Sequence, residues 1–331
     1  MRRGIVCAGN WLSDTIKFIS NYPTVGNLVT IEKLDSGFGG CAHNVLADLA
    51  HLKTDIPLYA GGCVGHDALG DEVFATCERL GIDASGVCRV DAPTSYTDVM
   101  ADMSNGTRTF FHYRGANALF GEEHVEKIDA EAKIFHLGYL LLLDRMDAED
   151  KEYGIVAARV LHNLQRRGYK TSVDVVSEEG SRFRQVILPC VPYMDFFIVN
   201  EVEAGACFGR QLRDADGKIL LDEIKAAAQF LIDKGVKEEV VIHFPEGGYA
   251  LRSNGESCFE PSFRVEPSQI VSSVGAGDAF CATMLYALHE ELPMREALRC
   301  ANAAARFNLF SPTSTDGAPT IGEIEEFLKT H

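Results

Sequence analysis

A glycine-rich turn followed at once by an aspartate is the part of the sequence best suited to chemistry. Residues 272–280 read Ser-Ser-Val-Gly-Ala-Gly-Asp-Ala-Phe, and an apolar run typical of a helix follows. Such a turn directs backbone N–H groups at one point, where the helix dipole also favours an anion. Gly275, Ala276 and Gly277 would form this anion hole, and Asp278 lies beside it as a candidate general base. Phosphoryl transfer to a hydroxyl group requires both features.

A second glycine-rich segment, residues 36–44, is suited to binding a polyol. Gly39 and Gly40 let the backbone approach a ligand closely, and Asn44 offers a donor and an acceptor to vicinal hydroxyl groups. A tight strand-to-helix turn with a polar helix start would explain the same residues. Asp14 follows the first predicted strand, where its carboxylate would either bind two sugar hydroxyl groups or stabilise a turn.

Four more residues have both a functional and a structural interpretation. Asn200 and Glu203 stand at a strand-to-helix junction and could hold a hydrated Mg²⁺ ion near phosphates, Glu203 through water. The same pair fits a helix cap with its capping-box partner. Asp174 ends another predicted strand. There it would either face the ligand crevice at the carboxyl ends of the strands or lie in a solvated turn. Trp11, the only tryptophan, would stack on a sugar or pack in the core.

Composition excludes several classes of protein. The chain has 331 residues, 46% of them hydrophobic, which is enough for a large core and too apolar for a disordered chain. A net charge of −17 disfavours nucleic-acid and anionic-membrane partners. No apolar run is long enough to span a membrane, and the N-terminal one is too short for a signal peptide. Ten cysteines without a Cys-x-x-Cys pair indicate buried free thiols in a reducing cytoplasm, and the histidines show no metal-binding spacing.

Short apolar runs alternate with amphipathic helical patterns, which predicts an α/β fold with a doubly wound, mainly parallel sheet flanked by helices. The predicted strands are residues 5–8, 58–61, 134–137, 172–176, 196–199 and 240–244. The extended stretch 22–38 and a hairpin at 94–113, with its turn at Asn105-Gly106, would form a small β-sheet lid or an ordinary sheet edge. We expect one domain over residues 1–331, with lid segments at about 15–40 and 94–118.

In their order along nearly the whole chain, these motifs resemble those of the ribokinase-like carbohydrate kinases, the PfkB family. The matching residues, with the role that the resemblance implies, are Asp14, Gly39, Gly40 and Asn44 for substrate, Asn200, Glu203, Gly247 and Asn302 for nucleotide and Mg²⁺, and Gly275, Ala276, Gly277 and Asp278 for catalysis. The resemblance implies ATP-dependent phosphorylation of a small sugar or sugar-like alcohol, with ATP and Mg²⁺ as cofactors. Exposed lid edges suggest a homodimer formed through the lid.

The chain departs from the family pattern at three places. Ser272 and Ser273 replace the usual Asp-Thr, and because that aspartate helps bind a monovalent cation in some members, dependence on K⁺ stays open. Residues 243–245 read His-Phe-Pro where the family usually has Thr-x-Gly, so contacts to the phosphoryl donor can differ, since proline lacks an N–H group. Residues 41–43, Cys-Ala-His, do not identify the acceptor.

Three alternatives to a sugar kinase remain at this point. A nucleoside kinase on the same fold would use the same motifs. A non-catalytic sugar- or nucleotide-binding protein would tolerate the serine at 272 and the proline at 245, although the retained Asp278 argues against it. A dinucleotide-dependent dehydrogenase fits poorly, because no Gly-x-Gly-x-x-Gly follows the first predicted strand.

Overall fold

The computed structural model describes residues 3–176 and 182–331. Its strands are β1 (Gly4–Gly9), β2 (Leu12–Ile19), β3 (Ile31–Gly39), β4 (Leu58–Val64), β5 (Asp83–Arg89), β6 (Ser95–Asp102), β7 (Arg108–Tyr113), β8 (Ala132–Leu140), β9 (Glu149–Asp150), β10 (Gly154–Ile155), β11 (Lys170–Val175), β12 (Phe196–Asn200), β13 (Glu239–Phe244), β14 (Gly247–Arg252) and β15 (Ser257–Pro261). Its α-helices are α1 (Cys41–His51), α2 (Ala68–Leu80), α3 (Glu122–Glu126), α4 (Val156–Arg166), α5 (Phe183–Ile187), α6 (Glu201–Phe208), α7 (Leu221–Asp233), α8 (Ala276–His289), α9 (Met294–Asn308) and α10 (Ile321–Leu328).

Nine strands form the central sheet, in the order β15-β14-β13-β12-β11-β8-β1-β4-β5. The seven strands from β13 to β5 pair in parallel, and β14 and β15 add an antiparallel edge. All six strands predicted from apolar runs lie in this sheet, as β1, β4, β8, β11, β12 and β13. The predicted fold class, a mainly parallel doubly wound sheet, is confirmed.

Strand β1 shows why the sheet carries helices on both faces. Its side chains alternate, so Ile5 and Cys7 join one buried cluster and Val6 and Ala8 the other, all of them 0% exposed. Burying an aliphatic side chain this completely contributes about 1.5–3 kcal/mol, which favours covering both faces. At its end, β1 approaches β8 so closely that a Cβ atom on Gly9 would lie 1.6 Å from the carbonyl oxygen of Gly138. No side chain fits at that crossing.

A separate four-stranded sheet, in the order β3-β2-β6-β7, forms the lid. The predicted hairpin is present as β6 and β7, and β3 is the extended stretch that precedes α1. The predicted start of the lid, at about residue 15, is three residues late. Strand β2 begins at Leu12, because Leu12 already pairs with Gly39 of β3 and with Ser95 of β6. Asp14 therefore lies within a lid strand and not in a connecting loop.

Buried residues settle two of the smaller sequence predictions. Trp11 is 1% exposed, and its Nε1–H donates to the Gly61 carbonyl oxygen at 2.9 Å, so it packs in the core. All ten cysteines lie in the described part of the chain as free thiols; eight are buried, and Cys88 and Cys258 are half-buried. Across residues 3–176 and 182–331, no helix combines the length and the apolar character that crossing a membrane demands.

Candidate active site

The predicted anion hole is a tight turn into the N-terminus of α8. Gly275 has φ 83°, and a Cβ atom there would lie 2.0 Å from the Ser314 carbonyl oxygen, so only glycine fits. Helix α8 begins at Ala276, and the N–H groups of a first turn have no partner within their own helix. The Ala276 N–H group donates to the Ser273 carbonyl oxygen at 3.3 Å. That the turn binds an anion stays a prediction. Asp278 lies in this first turn.

Two neutral donors hold the carboxylate of Asp278. Asn44 Nδ2 donates to Oδ2 at 2.9 Å, and the Tyr139 hydroxyl donates to Oδ1 at 3.1 Å. Burial raises the pKa of Asp278 to about 6, while these two hydrogen bonds act to lower it. A carboxylate with this pKa is ionised at neutral pH and still basic enough to accept a proton.

Asn44 is positioned by the turn that starts α1. Gly40 precedes the helix with φ 91°, and a Cβ atom there would lie 2.4 Å from the Asn10 carbonyl oxygen. The Asn44 side chain is itself buried, with its Oδ1 atom 3.0 Å from His43 Nδ1 and 3.3 Å from Ser314 Oγ. The amide is thereby oriented so that its NH₂ group faces Asp278.

Asp14 lies on lid strand β2, opposite Thr97 of β6. Burial raises the pKa of Asp14 to about 6, and a hydrogen bond from Thr97 and the positive charge of Arg108 act to lower it. Its carboxylate also explains Gly39, because a Cβ atom on Gly39 would lie 2.4 Å from Asp14 Oδ2. The structure therefore brings the two predicted substrate residues, Asp14 and Gly39, into contact.

Three carboxylates meet at the carboxyl ends of the central strands. Burial, followed by the negative charges of Glu203 and Asp278, raises the pKa of Asp174 well above its usual value. Asp174 is half-buried within β11, near its end, so it does not lie in a solvated turn; that it faces a ligand crevice stays a prediction. Oxygen ligands of this kind fit Mg²⁺, which keeps part of its water shell. The donor set therefore agrees with the predicted metal residue, Glu203.

Asn200 and Glu203 form the capping box that was the structural interpretation of their spacing. Asn200 Oδ1 accepts hydrogen bonds from the N–H groups of Val202 and Glu203, both at 2.9 Å, and Glu203 Oε2 accepts one from the Asn200 N–H group at 3.1 Å. The cap fixes the start of α6 and holds the buried Glu203 carboxylate at the sheet edge. A role toward a nucleotide stays a prediction for both residues.

The other two predicted nucleotide residues lie at the antiparallel edge of the sheet. Gly247 opens β14, and Asn302 on α9 donates to the carbonyl oxygens of Glu260 and Pro261 at 3.2 and 3.3 Å. Asn302 thus ties α9 to β15. His243 is the next-to-last residue of β13 and lies next to the predicted anion hole, where a Cβ atom on Gly277 would lie 3.2 Å from its ring. The unusual His-Phe-Pro segment is therefore adjacent to the catalytic turn.

Sequence reasoning missed Tyr139 and Asn10. Tyr139 follows the predicted strand 134–137 and donates to Asp278, and its own N–H group donates to Asn10 Oδ1. Both are polar residues at the carboxyl end of a central parallel strand. The rule that drew attention to Asp14 and Asp174, that ligands bind beyond the carboxyl ends of strands, would have found them.

Comparison with known proteins assigns the family. The sequence model of the pfkB family carbohydrate kinases matches residues 3–321. A deoxyribokinase from Salmonella typhi is 23% identical over 324 residues, 98% of each chain. The structures of an Arabidopsis thaliana ribokinase complexed with ribose and ATP and of a Thermotoga maritima ribokinase superpose with TM-scores of 0.81 and 0.78, at 22% and 23% identity over 99% of both chains. The chain belongs to the pfkB family of carbohydrate kinases and is therefore a phosphotransferase.

Proposed function

We propose that this kinase transfers the γ-phosphoryl group of ATP to a hydroxyl group of a small sugar or sugar-like alcohol, with Asp278 as the general base. The main observation in support is the placement of Asp278, in the first turn of α8 and between two neutral hydrogen-bond donors, Asn44 and Tyr139. A base needs an orientation fixed by its neighbours and a pKa below the working pH. Asp278 meets both requirements.

Bond making and breaking follow from this arrangement. Asp278 accepts the proton of the acceptor hydroxyl while that oxygen forms a bond to the γ-phosphorus and the bond to the ADP oxygen breaks. The N–H groups of the Gly275–Gly277 turn stabilise the negative charge of the transferring group. Each well-placed donor of this kind contributes about 3 kcal/mol to transition-state stabilisation.

The acceptor would lie between the lid and α1. On the lid side, Asp14 would accept hydrogen bonds from the sugar, and the backbone at Gly39 and Gly40 would let the sugar approach closely. On the core side, Asn44 would contribute its side-chain amide. Closure of the lid would exclude water, which otherwise competes with the acceptor for the phosphoryl group. ATP would lie along Asn200, Gly247 and Asn302. Glu203 and Asp174 would hold Mg²⁺, which supplies positive charge next to the ATP phosphates when bound.

A coupled ADP-release assay over a panel of pentoses, ketohexoses, keto-deoxy sugar acids and nucleosides tests the proposal. We expect turnover with one class of sugar and its loss in Asp278→Asn. Turnover restricted to nucleosides would favour the nucleoside kinase instead. Ligand-induced thermal stabilisation without ADP release from any acceptor would contradict the proposal. The assay is run in K⁺ and in Na⁺, because Ser272 removes the carboxylate associated with monovalent cations.

We further propose that two copies of the chain pair through the lid. Strands β3 and β7 are the edges of the lid sheet, and they expose Leu34 (63%), Phe110 (62%) and Phe111 (54%). Unpaired strand edges with apolar side chains favour association with another copy. Sedimentation of the wild type at micromolar concentration is expected to give a dimer, and Phe111→Glu a monomer. Leu220→Glu is the matched control, because Leu220 is an exposed apolar residue outside the lid sheet. A monomeric wild type would contradict the pairing.

A further inference from the structure

A cysteine, a histidine and an aspartate converge below the predicted sugar site. Cys41 is the first residue of α1, His136 lies within β8 and Asp174 near the end of β11. The Cys41 Sγ atom, a ring nitrogen of His136 and a carboxylate oxygen of Asp174 all lie within 4.8 Å of one another, and Sγ is 3.2 Å from His136 Nε2. Three donor atoms this close fit around one metal ion with bonds of about 2.0–2.3 Å.

Neighbouring residues hold these donors in place. His136 Nδ1 is 3.0 Å from Ser172 Oγ, a contact that leaves Nε2 facing the thiol. Gly138 packs against Cys41 so tightly that a Cβ atom there would lie 2.4 Å from Sγ. Such supporting contacts fix the orientation of metal ligands in proteins. A fourth donor is near, because Cys281 Sγ lies 4.0 Å from His136 Nε2.

Both Cys41 and His136 are 0% exposed, whereas Asp174 is half-buried. Burial lowers the pKa of His136 to about 3, so its ring is neutral and can ligate at any physiological pH. Burial also raises the pKa of the Cys41 thiol. The thiol therefore keeps its proton until a cation displaces it.

We propose that Cys41, His136 and Asp174 form a binding site for a borderline-soft divalent cation, with Zn²⁺ as the ion that this donor set favours. Sulfur, nitrogen and oxygen donors together suit Zn²⁺, whereas Mg²⁺ prefers oxygen donors alone. On binding, the Cys41 S–H bond breaks, a metal–sulfur bond forms and the proton leaves to solvent. The site shares one ligand, Asp174, with the Mg²⁺ site proposed above. Its other two ligands, Cys41 and His136, do not belong to that site.

The shared aspartate couples the two sites. Burial, followed by the negative charges of Glu203 and Asp278, raises the pKa of Asp174, and Cys41 directly follows Gly40 of the predicted sugar site. A Zn²⁺ ion that ligates Asp174 withdraws it from the carboxylate cluster and constrains the turn at Gly40. Zn²⁺ is therefore expected to inhibit phosphoryl transfer, a consequence that rests on the proposed function. The binding itself does not depend on that function.

Metal binding is tested on the full chain without ATP or acceptor. The reduced, chelator-treated protein is dialysed against Zn²⁺, and bound metal is counted; Co²⁺ is then used as a spectroscopic substitute. We expect one bound ion and a thiolate-to-cobalt charge-transfer band. Affinity should fall more than ~10-fold in Cys41→Ser and in His136→Gln. Cys77→Ser, at another buried thiol, should bind like the wild type.

Two results would overturn the site: a wild-type chain that binds no Zn²⁺ and gives no charge-transfer band with Co²⁺, or unchanged affinity in both ligand variants. The first result would mean that the three side chains form only a hydrogen-bonded cluster. Because the wild-type cobalt spectrum needs no variant, the proposal stays testable even if a substitution prevents folding. Circular dichroism identifies such variants.

Inhibition is tested separately, at fixed excess Mg²⁺, as the ratio of ADP release with and without Zn²⁺. The wild type should be inhibited and recover on addition of a chelator, and His136→Gln should show a ratio near one. Bound Zn²⁺ without inhibition would overturn the coupling through Asp174 and leave the site intact. Absence of ADP release under all conditions would contradict the kinase proposal, while the dialysis result would still decide the metal site.

Discussion

Asp278 and Asp14 are two carboxylates that burial shifts to the same pKa, about 6, in different surroundings. Asp278 is on the core, where its hydrogen bonds come from the neutral side chains of Asn44 and Tyr139. Asp14 is on the lid, where a hydroxyl group and the nearby cationic Arg108 support its charge. A cation near a carboxylate reduces its tendency to take up a proton and suits it to accept hydrogen bonds from hydroxyl groups.

Position separates the two carboxylates further. Asp278 sits in the first turn of a 14-residue helix that is anchored in the core, so its distance from the anion hole is fixed. Asp14 belongs to a four-stranded sheet with exposed edges. We therefore propose proton transfer for the carboxylate on the core and acceptor binding for the one on the lid. Each substitution below tests that division.

The largest expected effect is on turnover in Asp278→Asn. Loss of a general base typically lowers kcat by ~10²–10⁴-fold, and the KM for the acceptor should change little because Asn44 and Asp14 remain. Steady-state ADP release at pH 8 measures both constants. Asp222→Asn, at an exposed residue of α7, is the control. Turnover near the wild-type value would show that Asp278 is not the base.

Asp14→Asn should act mainly on KM. Losing a hydrogen bond to a charged group costs about 1.5–3 kcal/mol, which corresponds to a ~10–150-fold loss in kcat/KM. Acceptor saturation curves measure the change. Thr97→Val, which removes the hydrogen bond to Asp14 and a contact with His112, should give a smaller loss. A fall in kcat at constant KM would contradict the proposal that Asp14 binds the acceptor while Asp278 transfers the proton.

The pH dependence of kcat/KM sharpens the comparison. A general base must be ionised, so activity should fall as the pH drops below about 6, the pKa of Asp278. Because the Tyr139 hydroxyl lowers this pKa, Tyr139→Phe should raise it and move the acid limb to higher pH, with a few-fold loss near neutrality. Profiles from pH 5 to 9 measure the shift. An acid limb that stays in place would contradict the role of Tyr139.

Arg108→Gln is the matched variant on the lid. Removing the positive charge should raise the pKa of Asp14 and move the pH dependence of KM rather than that of kcat. Acceptor titrations at several pH values distinguish the two. If Arg108→Gln shifts kcat as Tyr139→Phe does, both carboxylates act on the same step.

The smallest expected effect is on stability. The pKa of Asp278 in the folded protein is above its unfolded value of 3.8, so ionisation disfavours the folded state. The contribution of Asp278 to the free energy of unfolding therefore declines as pH rises from about 4 to 6. Asp278→Asn should raise Tm by a few degrees, of order 2–4 °C, at pH 7.5 and by less at pH 4.5. Calorimetry measures both values, and equal changes at the two pH values would contradict the assigned pKa.

Most of the fold could be predicted from the sequence because parallel strands buried on both faces are almost continuously apolar, as in Ile134–Leu137 and Phe196–Val199. The hydrogen bond between Asn44 and Asp278 was not predicted; the resemblance to a family implied only that one binds substrate and the other acts in catalysis. The two residues are 234 positions apart, and no local pattern reports such a contact. The close approach of Cys41 to His136 was missed for the same reason.

The place of Asp14 could be predicted only approximately. Its position after the first predicted strand allowed a turn aspartate, but Leu12 pairs with both neighbouring strands and Asp14 lies within lid strand β2. Strand ends depend on partners that are remote in sequence, and a single strand does not show them. Tyr139 illustrates the opposite case, since its polar group at a strand end was visible in the sequence and was not used.

The contact between Gly9 and Gly138 has an evolutionary consequence. At the crossing of β1 and β8, a single methyl group added at Gly9 would collide with the main chain, so this crossing tolerates almost no change in volume. On the proposed function, new preferences among phosphate acceptors would then arise on the lid strands. Laboratory selection for a different acceptor should therefore enrich changes in β2, β6 and β7 and leave both glycines untouched.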